Sequence, residues 1–382
     1  MVDALKEKKQ DVRTRFTHSA SPQVSDSNLL PVLKKVVAGE RLSKSDGLSV
    51  FNSSDLIGIG QLANYVRKSR HQDIAYYVYN QHLNYTNVCS NRCRFCAFAR
   101  DRHQAGSFTL SHEQIEKSLR LRLNEPVTEL HIVGGLNPDL DFDYFLDLLG
   151  LVKKIRPAAT IKAFTPVEID YLSRITGYSI VDVIEKLKSA GLAMMPGGGA
   201  EVMSVRIHDT LFPEKIGADR WLEIMEAVHR AGITSNATML YGHIETMDER
   251  VEHLLRIRAL HDRTGGFSAF IPLAFHSKNT QLPDVPETTA FDDLKTIAAA
   301  RLLLDNFEHI KAYWVMIGES LAQVALSFGA DDLDGTIIEE KITHMAGARS
   351  ARGLSQAAMI NLIRAAGFRP VERDSFYNPL NN

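Results

Sequence analysis

Residues 84–100 read NYTNVCSNRCRFCAFAR and contain every cysteine of the 382-residue chain, Cys89, Cys93 and Cys96. This spacing lets three thiolates converge on one metal centre, and sulfur ligands favour zinc, copper(I) or iron–sulfur clusters over hard cations. Electron-transfer clusters and structural zinc sites normally have four protein ligands. With three cysteines, either a histidine completes the ligand set or one metal position stays open to a small molecule.

A closed site would be a zinc knuckle of three cysteines and one histidine, with His82 or His103 as the fourth ligand. Zinc ligands usually come in closely spaced pairs, which disfavours this interpretation. A disulfide framework is disfavoured further, because the number of cysteines is odd and the chain is far longer than a small disulfide-rich domain.

The composition is that of an ordinary globular protein, with 45% hydrophobic and 24% charged residues. A formal net charge of −2 argues against nucleic acid or a membrane surface as a partner, since both favour a basic excess. No apolar stretch reaches the ~20 residues of a membrane span. Residues 1–15 lack the apolar core of a secretory signal. Reduced thiols then predict a cytoplasmic location.

The hydrophobic pattern divides the chain into four predicted parts. Residues 1–28 are polar and predict a flexible arm, whereas apolar residues at helical spacing predict N-terminal helices in 29–74. In 75–326, short apolar runs alternate with amphipathic segments, which is typical of parallel βαβ units. Residues 327–382 predict a C-terminal helical cover. The eight predicted strands are residues 75–79, 129–133, 160–164, 192–195, 234–240, 267–273, 311–315 and 323–326.

Such an α/β array, closed on itself, is a (β/α)8 barrel of the TIM type, whose active site lies in the loops after the strands. The chemically distinctive residues fall in these loops. In chain order, the loops contain the three cysteines, Gly134-Gly135, Thr165, residues 197–199 with Glu201, Tyr241 with His243, and His276. Several independent loops therefore converge on one rim.

Several of these residues could have either a ligand-binding role or an ordinary structural role. Gly134 and Gly135 would let the backbone approach a ligand, although a Gly-Gly pair alone is usually a turn. Glu201 could bind a ribose or cap the next segment. Lys162 and Arg206 could pair with a substrate carboxylate or with a neighbouring acid.

The histidines His131, His243 and His276, like Tyr241, can face the cavity or the core. The acidic residues of 331–334 predict a turn and no cation site, because their spacing does not fit an EF-hand.

The cysteine pattern, with Phe95 before the last cysteine, resembles the cluster loop of the radical S-adenosylmethionine superfamily. The likeness extends along about residues 29–377. The segments at 84–89, 131–138, 162–169, 196–201, 236–246 and 327–336 together resemble the aminofutalosine synthase (aminodeoxyfutalosine synthase) family of the futalosine route to menaquinone. Cyclic dehypoxanthinyl futalosine synthase and FO synthase are sister families with the same cysteine spacing.

The resemblance implies a radical S-adenosylmethionine barrel in which three cysteines hold a 4Fe-4S cluster and S-adenosylmethionine binds at the open iron as a co-substrate. It implies cluster ligands Cys89, Cys93 and Cys96, a cofactor pocket of Phe95, Gly134, Gly135, Thr165 and Glu201, and a second substrate beside Tyr241, His243 and His276.

The implied reaction gives methionine and a 5'-deoxyadenosyl radical, which adds to the enol-ether double bond of 3-(1-carboxyvinyloxy)benzoate. Rearrangement and loss of bicarbonate then yield aminodeoxyfutalosine. The implied partners are this small molecule and a one-electron donor such as flavodoxin or ferredoxin, with no nucleic acid and no membrane. The sister reactions are the enzymatic alternative, and a zinc-stabilised protein or an iron–sulfur sensor is the non-enzymatic one.

Overall fold

A short 3-10 helix (Ser27–Leu29) and three α-helices precede the strands, in the range where N-terminal helices were predicted. The computed structural model describes residues 21–380, so residues 1–20 of the predicted arm lie outside the described part. The helices are α1 (Leu30–Ala38), α2 (Lys44–Asn52) and α3 (Leu56–His71). Ser43 and Asp46 form a capping box at the start of α2. The Asp55 side chain accepts the N–H of Gly58 and caps α3.

Seven parallel strands form one sheet in which neighbours in sequence are neighbours in space. They are β2 (Asn80–Leu83), β3 (Glu129–Ile132), β4 (Thr160–Ala163), β5 (Met194–Met195), β6 (Thr234–Tyr241), β7 (Phe267–Ala274) and β8 (His309–Ile310), preceded by β1 (Ile74–Val78) in a second sheet. The order of the larger sheet is β2-β3-β4-β5-β6-β7-β8. The predicted barrel class is confirmed, with seven strands in the sheet where eight were expected.

Helices fill the connections, because parallel strands require long crossovers. They are α4 (His112–Leu121), α5 (Phe142–Ile155), α6 (Pro166–Thr176), α7 (Ile180–Ala190), α8 (Val205–Leu211), α9 (Ala218–Arg230), α10 (Met247–Thr264) and α11 (Ala290–Leu303). Capping boxes at Thr165 with Glu168 and at Thr246 with Glu249 fix where α6 and α10 begin. Within residues 21–380, no helix is long and apolar enough to cross a membrane.

Three of the predicted barrel strands are not strands of the larger sheet. The strand before the cysteine loop is β2, which was not predicted because its sequence is polar. The apolar run at 75–79, predicted in its place, lies largely in β1 of the second sheet. Predicted strand 323–326 lies mostly in helix α13 (Glu319–Ala325), whereas predicted strand 311–315 begins just after β8 and ends in helix α12 (Trp314–Ile317). Short apolar runs do not distinguish a buried strand from a buried helix.

Residues 331–338 close the gap between the two edge strands of the larger sheet. On the β8 side, the N–H of Ala312 donates to the carbonyl of Asp332 at 2.8 Å. On the β2 side, the N–H of His82 donates to the carbonyl of Ile338 at 2.8 Å. Because a bare strand edge leaves backbone groups unpaired, this segment does for the barrel what an eighth strand would do.

The closing segment also contributes one strand to the second sheet. Its strand β9 (Asp332–Gly335) pairs with β1, and β1 pairs with β10 (Arg369–Glu372), in the order β10-β1-β9. The limits proposed for the domains stay predictions, but the barrel closure lies beyond residue 326 where the barrel was expected to end.

The acidic residues of the closing segment are buried and paired, contrary to the predicted acidic turn. Their partners are Arg301 for Asp331 at 2.5 Å, Arg373 for Asp332 at 2.7 Å, and Lys311 for Asp334 at 3.2 Å. Removing one partner of a buried pair costs about 3–5 kcal/mol, so these three contacts hold the segment in register.

Two further helices complete the predicted C-terminal cover. They are α14 (Ile342–Met345) and α15 (Gln356–Ala365). The first lies against the open end of the barrel, where Ile342 and Thr343 contact the central cavity.

We expect Gly335→Ala to destabilise the barrel closure. A Cβ at Gly335 would lie 2.3 Å from the carbonyl oxygen of Val78 and 2.5 Å from Oδ1 of Asn80. The variant should lose about 1–3 kcal/mol in the free energy of unfolding, measured by chemical denaturation.

Gly150→Ala is the matched control, since nothing lies within 4 Å of its added Cβ on helix α5. It should gain about 0.5–1 kcal/mol from the better helix former. Equal stability of the two variants would contradict the proposed tight closure at Gly335.

Candidate active site

A cavity of about 360 Å³ lies inside the barrel and opens where the loops after the strands meet. Most of its wall is apolar, with Leu240, Ile271 and Leu273 in the middle. Cys89 and Cys93 lie at the rim, in the loop after β2. A few polar groups in an apolar pocket are typical of a small-molecule site.

The cysteine loop is held by hydrogen bonds from backbone N–H groups, two of which reach its sulfurs. The N–H of Leu136 donates to Sγ of Cys89, and the N–H of Ala99 to Sγ of Cys96, each at 3.4 Å. The N–H of Cys96 donates to the carbonyl of Cys93 at 3.0 Å. Two of the sulfurs thus already accept N–H groups of the kind that surround bound thiolates.

The three thiols do not have the close spacing of ligands to a single zinc ion. Ligands about 2.3 Å from one tetrahedral ion lie about 3.8 Å apart. Among residues 21–380, three ligand atoms within 4.8 Å of one another occur at His71, His309 and Asp331, and the thiols do not form such a group. His82 lies deeper in the barrel and His103 is exposed, so the geometry does not support the zinc knuckle.

Burial raises the pKa of the Cys93 thiol to about 12, although the positive charge of Lys215 lowers it. Burial also raises the pKa of Cys89. A bound metal replaces these protons, because coordinated thiols are deprotonated. The loop is therefore a set of thiols that a metal centre would convert to thiolates.

The two glycines after β3 pack tightly against the cysteine loop. A Cβ on Gly135 would lie 2.2 Å from the carbonyl oxygen of Val88, and one on Gly134 would lie 2.6 Å from the ring of Tyr85. Gly134 lines the cavity, whereas Gly135 lies behind Cys89. The backbone approach predicted for this pair is thus made to the cysteine loop.

Glu168 is a buried cavity residue that sequence reasoning missed. Its carboxylate accepts the hydroxyl of Tyr85 at 2.7 Å and the N–H of Thr165 at 2.6 Å. The N–H of Gly134 donates to it at 3.3 Å. Burial raises the pKa of Glu168 to about 7, although these hydrogen bonds lower it. Its sequence signal was the capping box with Thr165, a predicted pocket residue that also lines the cavity.

Glu201, Lys215 and Phe95 form the wall opposite the glycines. Glu201 and Lys215 make an ion pair, and the ammonium of Lys215 lies 5.3 Å from the centroid of the Phe95 ring. Glu201 has a φ of 49°, which is uncommon for a residue other than glycine and often marks a functional position. Lys215 was missed because it follows α8, far from any strand end.

Tyr241 and His243 do not reach the cavity, which corrects their prediction as substrate neighbours. Side chains alternate along β6, so Leu240 faces inward and Tyr241 outward. The Tyr241 hydroxyl donates to Asp293 at 2.8 Å. His243 packs against Phe275, with ring centroids 6.2 Å apart.

His276 does line the cavity. Its Nε2 lies 3.0 Å from the carbonyl of Met316, and its Nδ1 is buried with no hydrogen-bond partner among residues 21–380. Burial lowers the pKa of His276. A buried ring nitrogen without a partner is costly, so this atom is suited to a bound ligand.

Of the two basic residues predicted as partners of a substrate carboxylate, one lies at the surface and the other in the cavity. Arg206 is half exposed and pairs with Glu249 at 2.6 Å, so it belongs to a surface ion pair. Lys162 lines the cavity and lies 3.3 Å from Glu129. Next to Lys162 in the sheet lies His131, which also lines the cavity and is paired in register with His82.

Two sequence profiles match the chain. The profile described as the radical SAM superfamily matches residues 83–257, and the profile described as the CofH/MqnC C-terminal region matches residues 264–382. Together they span the barrel, its closing segment and the C-terminal cover.

Curated relatives are similar over most of their length. An aminodeoxyfutalosine synthase of Thermus thermophilus is 42% identical over 358 residues, covering 93% of this chain and 96% of the relative. A 5-amino-6-(D-ribitylamino)uracil–L-tyrosine 4-hydroxyphenyl transferase of Archaeoglobus fulgidus is 39% identical over 322 residues, covering 84% of this chain and 93% of the relative. The solved structure of methylornithine synthase has a TM-score of 0.71 and 16% identity, covering 88% of this chain and 96% of that one, and shares the fold.

The raised pKa of Glu168 predicts a pH-dependent loss of stability. Because the folded pKa of about 7 lies above the ordinary 4.5, the contribution of Glu168 is fully present below pH 4.5 and is lost as the pH rises through 7. Relative to Glu168→Gln, the metal-free wild-type protein should lose about 3 kcal/mol of unfolding free energy over this range. Chemical denaturation at a series of pH values measures it.

Glu116→Gln, on the half-exposed side of α4, is the control and should keep the wild-type pH profile. If Glu168→Gln also keeps that profile, Glu168 does not titrate in this range in the folded protein.

Proposed function

This chain belongs to the radical S-adenosylmethionine superfamily and is a radical S-adenosylmethionine enzyme, and on that basis we propose that it is an aminodeoxyfutalosine synthase. It would join the 5'-deoxyadenosyl group to 3-(1-carboxyvinyloxy)benzoate and release methionine and bicarbonate, in menaquinone biosynthesis. The observation that carries the proposal is the full-length similarity to the Thermus enzyme of that name.

In the proposed enzyme, Cys89, Cys93 and Cys96 hold a 4Fe-4S cluster. The support is that all three cysteines of the chain lie in one loop, with Cys89 and Cys93 at the cavity rim. When bound and reduced, such a cluster supplies the electron that splits S-adenosylmethionine into methionine and the 5'-deoxyadenosyl radical. The open coordination position requires that S-adenosylmethionine bind beside these cysteines.

The proposed co-substrate pocket uses Phe95, Gly134, Thr165 and Glu201, because all of them line the cavity near the cysteine loop. Lys215 joins them as the partner of Glu201 and as a cation beside the thiols. Gly135 keeps a supporting role behind Cys89, where it allows the loop to approach β3. The N–H groups that surround Glu168 hold this corner rigid, which favours a fixed orientation of the ligand.

The second substrate would lie against the apolar middle of the cavity wall, with His276 beside it. Exclusion of water and of hydrogen donors is the main task there, because a primary carbon radical reacts with any group that it meets. Leu240, Ile271 and Leu273 provide an apolar surround, and α14 lies across the open end.

The sister reactions are the second candidate, favoured by the C-terminal profile named for them and by the similarity to the Archaeoglobus transferase. An electron donor such as flavodoxin or ferredoxin would be needed to reduce the cluster, and we propose a cytoplasmic location because free thiols must stay reduced.

Product analysis tests the proposed function. The reconstituted protein, incubated anaerobically with dithionite, S-adenosylmethionine and 3-(1-carboxyvinyloxy)benzoate, should form aminodeoxyfutalosine. Since the adenosyl carbon is incorporated, mass spectrometry should show the product and little free 5'-deoxyadenosine. Accumulation of free 5'-deoxyadenosine without that product would favour the sister reactions, and a protein that binds one zinc and no iron would exclude this chemistry.

Cys93→Ala should abolish cluster binding, because two thiolates remain on the loop. Iron content, sulfide content and absorbance near ~400 nm after anaerobic reconstitution should all fall to background. Ser90→Ala on the same loop is the control and should retain wild-type iron content. Retention of full iron by Cys93→Ala would refute the ligand assignment.

A further inference from the structure

The deep part of the cavity holds a pair of stacked imidazoles that the proposed function does not use. His82 on β2 and His131 on β3 are paired in register, with ring centroids 4.4 Å apart and an interplanar angle of 13°. Both side chains line the cavity. Within residues 21–380, neither ring makes a hydrogen bond to another protein group, and both rings face the cavity, so the ring nitrogens are available to a ligand.

The permanent charges around the two imidazoles already have partners. Lys162 lies 3.3 Å from Glu129, Lys311 lies 3.2 Å from Asp334, and Glu340 lies 2.8 Å from His344. An anion that enters this part of the cavity would therefore add a negative charge with no fixed cation to balance it. In a medium of low dielectric constant, such a charge needs a new positive partner.

The imidazoles can supply that partner by taking up a proton. Burial lowers the pKa of His82, opposed by Glu340, Asp334 and Glu129 and assisted by Lys162. Burial and then the charges of His82 and Lys162 lower the pKa of His131 well below its usual value, opposed by Glu129 and Asp334. Both rings are thus neutral near pH 7 without a ligand. A bound carboxylate raises the pKa of the ring beside it, because it favours the charged form.

We propose that the stacked pair His82 and His131 binds the ring carboxylate of the aryl enol-ether substrate and takes up one proton with it. The inference rests on the proposed function for the identity of this substrate. It assigns a specificity site to two residues on strands β2 and β3, ahead of the loops that contain the cysteines and Gly134.

The orientation follows from where the reaction must occur. The enol-ether carbon has to meet the adenosyl carbon near the cysteines, at the rim. The ring carboxylate lies at the other end of the substrate, and so it points towards the strands that carry His82 and His131. Two rings 4.4 Å apart accept one proton readily, whereas a second would bring two like charges together.

A comparison of two substrates in two proteins tests the site. The wild-type holoenzyme should use 3-(1-carboxyvinyloxy)benzoate better than 2-phenoxyacrylate, which lacks the ring carboxylate, by about 10- to 100-fold in kcat/KM. In His82→Asn/His131→Asn this preference should largely vanish through a higher KM for the dicarboxylate. Iron content and the KM for S-adenosylmethionine should stay at the wild-type values.

His112→Asn is the matched control, because His112 also stacks on a ring, that of Tyr144 at 4.8 Å, but outside the cavity. It should keep the full preference for the dicarboxylate. If the double variant keeps that preference as well, or if the wild-type enzyme shows none, the inference is wrong.

Calorimetry provides a second measurement that does not depend on turnover or on the folding of a variant. Binding of the dicarboxylate to the wild-type holoenzyme at pH 7.5, in buffers of different ionisation enthalpy, should show uptake of about one proton. Binding without proton uptake would overturn the inference. A wild-type enzyme that binds the dicarboxylate with proton uptake but forms no adenosylated product would refute the proposed function and leave the imidazole site supported.

Discussion

Closure of the barrel by residues 331–338 is the constraint on which the rest of the structure depends. A seven-stranded parallel sheet has two bare edges, and this segment hydrogen-bonds to both of them. It does so while burying Asp331, Asp332 and Asp334, each against a cation from another part of the chain. A buried carboxylate is tolerated only when it is paired, so the segment has one stable register. In that register Asp334 lines the cavity, and the following residues, including Ile342 and Thr343, line its open end.

The same constraint sets the electrostatics of the cavity. Lys162 on β4 and Glu129 on β3 bring opposite charges into the barrel interior and pair with each other. The wall above them is apolar at Ile271 and Leu273, and polarity returns at the rim with Lys215 and Glu201. The cavity therefore has two polar ends separated by an apolar middle. This division suits a reaction in which one end holds a metal-bound co-substrate and the other holds the anchoring group of a second molecule.

The parts of this site that were predictable share one property, which is that the residue type itself is informative. Three cysteines concentrated in one loop indicated a metal centre, and Thr165 and Glu201 after predicted strands do line the cavity. The predicted position of Tyr241 beside the substrate differs from the structure, because successive side chains on a strand point to opposite faces. Its neighbour Leu240 faces the cavity instead. Glu168 was missed because its capping box with Thr165 does not show that its carboxylate is buried in the cavity wall, and Lys215 was missed because only tertiary packing brings it beside Cys93. The strand β2 was missed because three of its four residues are polar, whereas an ordinary buried strand of a parallel sheet is apolar.

That last failure has a physical meaning. A strand that reads Asn-Gln-His-Leu and yet is fully buried must satisfy its polar groups from within the fold or from a ligand. Asn80 meets this demand at the closing segment, where its side-chain oxygen accepts the N–H of Ile337 at 2.7 Å and its carbonyl accepts the hydroxyl of Thr336 at 2.9 Å. His82, two residues along on the same face, has only the stacked ring of His131. The two polar residues on this face of β2 therefore have different partners. Asn80 is satisfied by the closing segment, and His82 by the molecule that we propose to bind beside it.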